Sequence, residues 1–286
     1  MIVRRLLPAG LVFAVVLAGL AVFAPRLRVL LGTDPASATW GAAAHDLYAT
    51  GPVVNRCDLP ANRDENPEAT LRALAGCLDR AWARTMAQAD REYEPPGEVN
   101  LIGSPAEAAC GTDEYDWVGI YCPDTASVNV LMEDGKWVFA SMFTLAHEYA
   151  HHVQEISGIA SRRGPEAFDE AWTRRLELQA NCMAAAALRG VDPAGVRVVR
   201  ESVAEAAGAE RDRGRAGATE GDADGGTDGD ADGDADGGTD GGTEGATEQE
   251  RTHGSAASET AWLLRGERHG TVGACNTWAA PAAEVS

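Results

Sequence analysis

No Cys-x-x-Cys pair occurs anywhere in the 286 residues, and no cluster of Lys and Arg forms a basic patch. The first absence removes the spacing by which thiolates commonly hold zinc, so the six cysteines read as disulfide partners outside the reducing cytosol. The second excludes recognition of a phosphate backbone, and with it nucleic acid as a partner. Positive charge is missing altogether between Glu220 and Glu250, where eight Asp and four Glu supply twelve of the net charge of −20 and leave −8 for the rest. Aromatic and branched aliphatic residues are missing there too, because 218–247 is built of Asp, Gly, Ala, Thr and Glu. Ordering such a segment costs backbone entropy and buries almost nothing, so residues 209–250 are expected to form a disordered acidic insertion. Asp228, Asp230, Asp232 and Gly233 match the first half of a calcium loop, but Thr239 stands where that loop requires Glu. Weak, nonspecific cation binding is the most this tract offers.

Charge is also absent from Leu6 to Ala24. These nineteen residues, at about 1.5 Å each in a helix, span roughly 28 Å, near the thickness of bilayer hydrocarbon. Arg4 and Arg5 favour a cytoplasmic N-terminus (residues 1–5), although Arg26 and Arg28 blur that bias. The expectation is a single-pass transmembrane anchor at 6–24, a linker at 25–50 and an extracytoplasmic domain at the cell membrane. The alternative is secretion after signal-peptide cleavage; Val22-Phe-Ala24 offers a weak cleavage site, with Pro25 directly behind it.

What is present is concentrated in Leu145–Gln154, which contains His147-Glu148-x-x-His151. Residues four apart share a helix face, so both imidazoles can point at one metal ion while Glu148 stands beside them as a general base. Zinc takes nitrogen ligands at about 2.0–2.1 Å in a tetrahedral array, and one helical turn supplies two of them. Phe139–Leu145 leads into this helix, and Gly158 closes it as a C-terminal cap. A third ligand is expected downstream, on a helix opened by Pro165-Glu166 and ended by Gly190. Glu177 and Asn181 lie four apart on that helix, a pattern in which Glu177 binds the metal and Asn181 orients a ligand histidine. Glu166 and Glu170 compete for the third position but lack such a partner.

These runs, together with Glu177-Leu-Gln-Ala-x-Cys182, Thr252-His-Gly-Ser255, Ala274-Cys-Asn-Thr-Trp278, Ala109-Cys-Gly111 and Tyr121-Cys-Pro123, resemble the neutral zinc metallopeptidase family. The resemblance runs from about Leu78 to Trp278 with one interruption. It implies a zincin-like fold behind an N-terminal membrane anchor and one zinc ion held by His147, His151 and Glu177. It also implies hydrolysis of a peptide or protein substrate by a zinc-activated water with Glu148 as base. The family usually carries Asp where this chain has Asn181. Asn still accepts a hydrogen bond but lacks the charge that raises ligand basicity, so the alternative is a catalytically weak or inactive anchored binding protein. Ala150 replaces a common Gly, and Ala is the better helix former.

The expected class is α+β and predominantly helical. Its metallopeptidase domain would comprise residues 51–208 with 251–281. Asn66-Pro67 opens a helix whose Leu71, Leu74, Leu78, Trp82 and Met86 form an apolar stripe, with Pro95-Pro96-Gly97 as its stop. Trp117–Cys122 and Ser127–Met132 read as a hairpin, and Asp192-Pro193 starts a helix running to about Ala207. Fifteen pairings of six cysteines exist; we expect Cys57–Cys77, Cys110–Cys122 and Cys182–Cys275, with buried free thiols as the alternative. His253 is the candidate for stabilising the developing oxyanion, with Tyr149 and His152 behind it. His45 and His269 have no supporting context.

Overall fold

The computed structural model describes residues 43–111, 117–132, 137–160, 169–220 and 248–286. The apolar run 6–24 and the segment 221–247 lie outside the described residues. Among the described residues no helix is long and apolar enough to cross a membrane.

Helix α1 spans Pro67–Gln88, and its stripe of Leu71, Leu74, Leu78, Trp82 and Met86 is fully buried, as the three- and four-residue spacing requires. Burying each such side chain contributes about 1.5–3 kcal/mol. The Asn66 side chain makes no capping bond; instead Thr70 Oγ1 donates to the Asn66 carbonyl at 2.9 Å. The helix also ends well before Pro95, because Asp90 turns into the left-handed region at φ 53°.

A three-stranded sheet follows, with β1 (Glu98–Ile102), β2 (Gly119–Cys122) and β3 (Ser127–Leu131) in the order β1-β3-β2. The expected hairpin is present as antiparallel β2 and β3, joined through Pro123–Thr125 and Ala126, while β1 runs parallel to β3. Strand β2 is therefore an edge of the sheet. Helix α2 (Val138–Ser157) packs against β2 and β3 and closes at Gly158, whose φ of 82° is open to a residue without Cβ.

Helix α3 (Glu170–Leu188) starts at Asp169, whose Oδ1 accepts the Trp172 N–H at 2.7 Å. The expected opening at Pro165 and Glu166 falls outside the described residues. Ala184, Ala185, Ala186 and Ala187 are buried, so neighbouring helices can approach closely. Helix α3 packs against both α2 and α6 (Ala256–His269). Gly266 of α6 sits over the Cys182 carbonyl, where any added Cβ would overlap the backbone.

Helix α4 opens at Pro193 as expected but continues past Ala207 to Glu220, and α5 (Glu248–His253) precedes α6. Residues 209–220 and 248–250 are thus helical, although composition assigned them to the insertion. Ala, Glu and Arg in 209–220 favour a helix by intrinsic propensity. Residues 43–50 of the expected linker also pack onto the domain, with Leu47 fully buried. The three disulfides are Cys57–Cys77, Cys110–Cys122 and Cys182–Cys275, the expected set.

Candidate metal centre

Helix α2 presents His147 and His151 one turn apart, and α3 presents Glu177 toward them. The two Nε2 atoms lie 3.0 Å apart; Glu177 Oε2 is 3.1 Å from His147 Nε2 and Glu177 Oε1 is 3.4 Å from His151 Nε2. Among the described residues this is the one group of three His, Cys, Asp or Glu side chains whose donor atoms converge. Donors about 2.0–2.1 Å from a tetrahedral zinc lie roughly 3.3 Å from one another, so the observed separations suit that ion. The outer ring nitrogens support the same fit. His147 Nδ1 is 2.9 Å from Asn181 Oδ1, and His151 Nδ1 is 2.8 Å from Gln154 Oε1. With both Nδ1 protons donated to these oxygens, two neutral rings would face each other with lone pairs. A cation between them relieves that repulsion.

Glu148 forms the adjoining wall. Its carboxylate accepts a hydrogen bond from the Tyr121 backbone N–H on β2. Strand β2 can come this close because residue 119 is glycine: a Cβ there would overlap the Thr144 methyl and lie 2.8 Å from Glu148 Oε1. Burial pushes the Glu148 carboxyl above its ordinary value, and the rings of His147 and His151 pull it partly back. Glu177 shifts the other way. Burial opposes its charge, yet His151 and His147 hold it well below the usual carboxylate range. Burial also opposes charge on His151, but Glu177 and Glu148 outweigh it and push the ring up to about 9, so a proton can take the space between the two rings when a cation does not.

These groups line a cleft of about 320 Å³ whose other walls include Gly119, Ile120, Tyr121, Leu176 and His253. His253 ends α5, with its Nε2 3.6 Å from Glu177 Oε2. The structure thus brings together His147, Glu148, His151, Glu177, Asn181 and His253. Of the other candidates, Glu166 lies outside the described residues. Glu170 pairs with Arg251 at 3.1 Å, and Tyr149 is fully buried in the core. His152 is buried behind β2, with Nε2 2.8 Å from the Glu94 carbonyl and Nδ1 3.2 Å from the Tyr121 hydroxyl. A carbonyl only accepts, so Nε2 carries the proton and the Tyr121 hydroxyl donates to Nδ1. Burial lowers the pKa of that ring.

Gln154 and His45 also contribute, though neither was singled out by its sequence pattern. Gln154 lies three residues after His151 in the quoted motif, and that spacing on a helix could have signalled it. His45 is buried, with Nε2 2.9 Å from the Ser157 carbonyl at the end of α2. Nothing in its sequence context announced that contact.

Fold and centre define a mostly helical domain with a small sheet and a His-His-Glu centre suited to a metal ion. Residues 10–215 match the family described as "Putative neutral zinc metallopeptidase", and the chain belongs to that family. The uncharacterized protein Rv2575 of Mycobacterium tuberculosis is 26% identical over 278 residues, which cover 88% of this chain and 85% of the relative. The uncharacterized protein Mb2605 of Mycobacterium bovis matches to the same extent. The uncharacterized protein YpfJ of Escherichia coli K12 is 29% identical over 140 residues, 43% of this chain and 47% of that protein. No solved structure matches.

Proposed function

We propose that this chain is a zincin-like, zinc-dependent peptidase, with His147, His151 and Glu177 as the ligands of one zinc ion. The observation that carries the reading is the convergence of these three donors beside a carboxylate held in place by a backbone N–H. Zinc, when bound, supplies Lewis acidity that polarises a carbonyl and makes water acidic near neutral pH. Glu148 takes the proton from the attacking water and delivers it to the leaving amine, a role suited to a carboxyl whose proton affinity burial has raised. His253, on the opposite rim, donates to the developing oxyanion. The substrate is a peptide or protein lying along the free edge of β2, held there by backbone hydrogen bonds as an added strand. The run 6–24 anchors the domain on the outer side of the cell membrane, and three disulfides support an oxidising location.

Metal analysis of the domain should find about one zinc per chain. Incubation with a diverse peptide library should yield cleavage that Glu148→Gln abolishes while keeping the metal. Cleavage persisting in His147→Ala would sink the proposal. Asn181 favours one second reading, an anchored binding protein whose metal site is weakened, because a neutral amide stands behind His147. Zinc retention without any cleavage would support that reading.

A further inference from the structure

Gln154 and Gln179 are both fully buried and lie end to end beneath the metal centre. The direction of their hydrogen bonds can be derived from one fixed point. The Cys275 carbonyl can only accept, so the group of Gln179 facing it at 3.0 Å is the amide NH2, which also donates to the Tyr48 hydroxyl at 2.9 Å. Gln179 therefore turns its Oε1 toward Gln154, and Gln154 Nε2 donates to it at 3.1 Å and to the Leu176 carbonyl at 2.9 Å. With both of its protons committed there, Gln154 presents Oε1 to His151 Nδ1 at 2.8 Å. An oxygen at that position accepts, so in the neutral ring Nδ1 must carry the proton, which leaves the Nε2 lone pair on the centre.

We propose that Gln179 is a positioning residue that passes the polarity of the Cys275 carbonyl through Gln154 to His151, fixing which ring nitrogen is free to bind metal. A flipped amide at either glutamine would place NH2 against NH2 or oxygen against oxygen inside a dry core, and an unmade buried bond costs about 1–3 kcal/mol. The relay joins four segments distant in sequence: the turn at Asp46–Ala49, helices α2 and α3, and the turn at Val272–Cys275. The disulfide between Cys182 and Cys275 ties the last of these to α3. His147 has a separate partner in Asn181 and serves as an internal control. The inference rests on the peptidase reading only for the identity of the ion.

The test compares wild type, Gln179→Met and Gln179→Glu. It measures zinc affinity by chelator competition. It also measures, by NMR of the zinc-loaded protein, solvent exchange of the Nδ1 protons of His151 and His147. Gln179→Met keeps the volume and removes both polar ends. It should weaken zinc binding about tenfold or more and speed exchange at His151, while His147 is unchanged. Gln179→Glu can still accept from Gln154 and, when protonated, donate to Cys275, so it should restore both readouts. Equal disturbance of both rings without rescue by Gln179→Glu would mean a glutamine that merely packs, and would overturn the proposal. So would a Gln179→Met protein indistinguishable from wild type. If Gln179→Met does not fold, wild type decides: a proton on His151 Nε2, or zinc on Nδ1, refutes the relay. If wild type binds no zinc, the peptidase reading fails alone, and the zinc-free spectrum, recorded at a pH where the His151 ring is neutral, still reports whether its one proton sits on Nδ1 facing Gln154.

Discussion

Asn181 sets the strength of the centre through a single atom. Its Oδ1 lies 2.9 Å from His147 Nδ1, where a carboxylate would draw the ring proton harder and make Nε2 a better donor. Asn181→Asp should therefore tighten zinc binding by about tenfold, read by competition with a chelator. Glu148 acts on the reaction rather than on the ion. Glu148→Gln should retain about one zinc yet lower kcat by roughly 10²–10⁴-fold, since the amide cannot take a proton. The two results together separate the ligand sphere from proton transfer. At this scale the HExxH residues were legible because a four-residue spacing on a helix has one geometric outcome. Gln179 was not, because a lone Gln before an Ala-rich run looks the same whether it meets water or a carbonyl 96 residues away. Its burial depends on where the C-terminal turn docks, and no local pattern encodes that.

Among the elements, the contact between β2 and α2 matters most for the cleft. The edge strand reaches Glu148 only because Gly119 has no side chain. Gly119→Ala should push β2 outward, break the Tyr121 N–H bond to Glu148 and lower activity about tenfold or more, with zinc content unchanged by metal analysis. On the far side of α2, the stripe of α1 is ordinary core. Leu78 is fully buried, so Leu78→Ala should cost about 2–5 kcal/mol in chemical denaturation. Periodicity revealed α1 directly, since an apolar face has to recur at the pitch of the element that buries it, while the metal motif and Gly158 announced α2. Boundaries were harder. Asp90 at φ 53° ended α1 ahead of the obvious prolines, and α4 continued to Glu220, past the end expected near Ala207.

For the whole molecule, the disulfide between Cys182 and Cys275 joins residues with a sequence separation of 93, and the acidic segment 221–247 lies between them. It ties α3, which carries Glu177, to the turn that starts the glutamine relay. Closing a loop of that length in the unfolded chain accounts for about 4–5 kcal/mol in the entropic picture. The same relation is shallow in loop length. Replacing 221–247 with a Gly-Ser linker of about half its length changes the closure entropy by only a few tenths of a kcal/mol. Two changes of very different chemical size should therefore rank in reverse. The linker replacement should leave Tm, zinc content and peptide cleavage close to wild type. Replacing both cysteines by alanine changes two sulfur atoms and should lower stability by several kcal/mol. Because Cys275 also supplies the carbonyl that orients Gln179, the loss should reach the metal centre, and zinc affinity should fall along with Tm. Should the linker variant lose cleavage while keeping its Tm, the acidic segment would belong to the substrate site rather than to a connection across the surface.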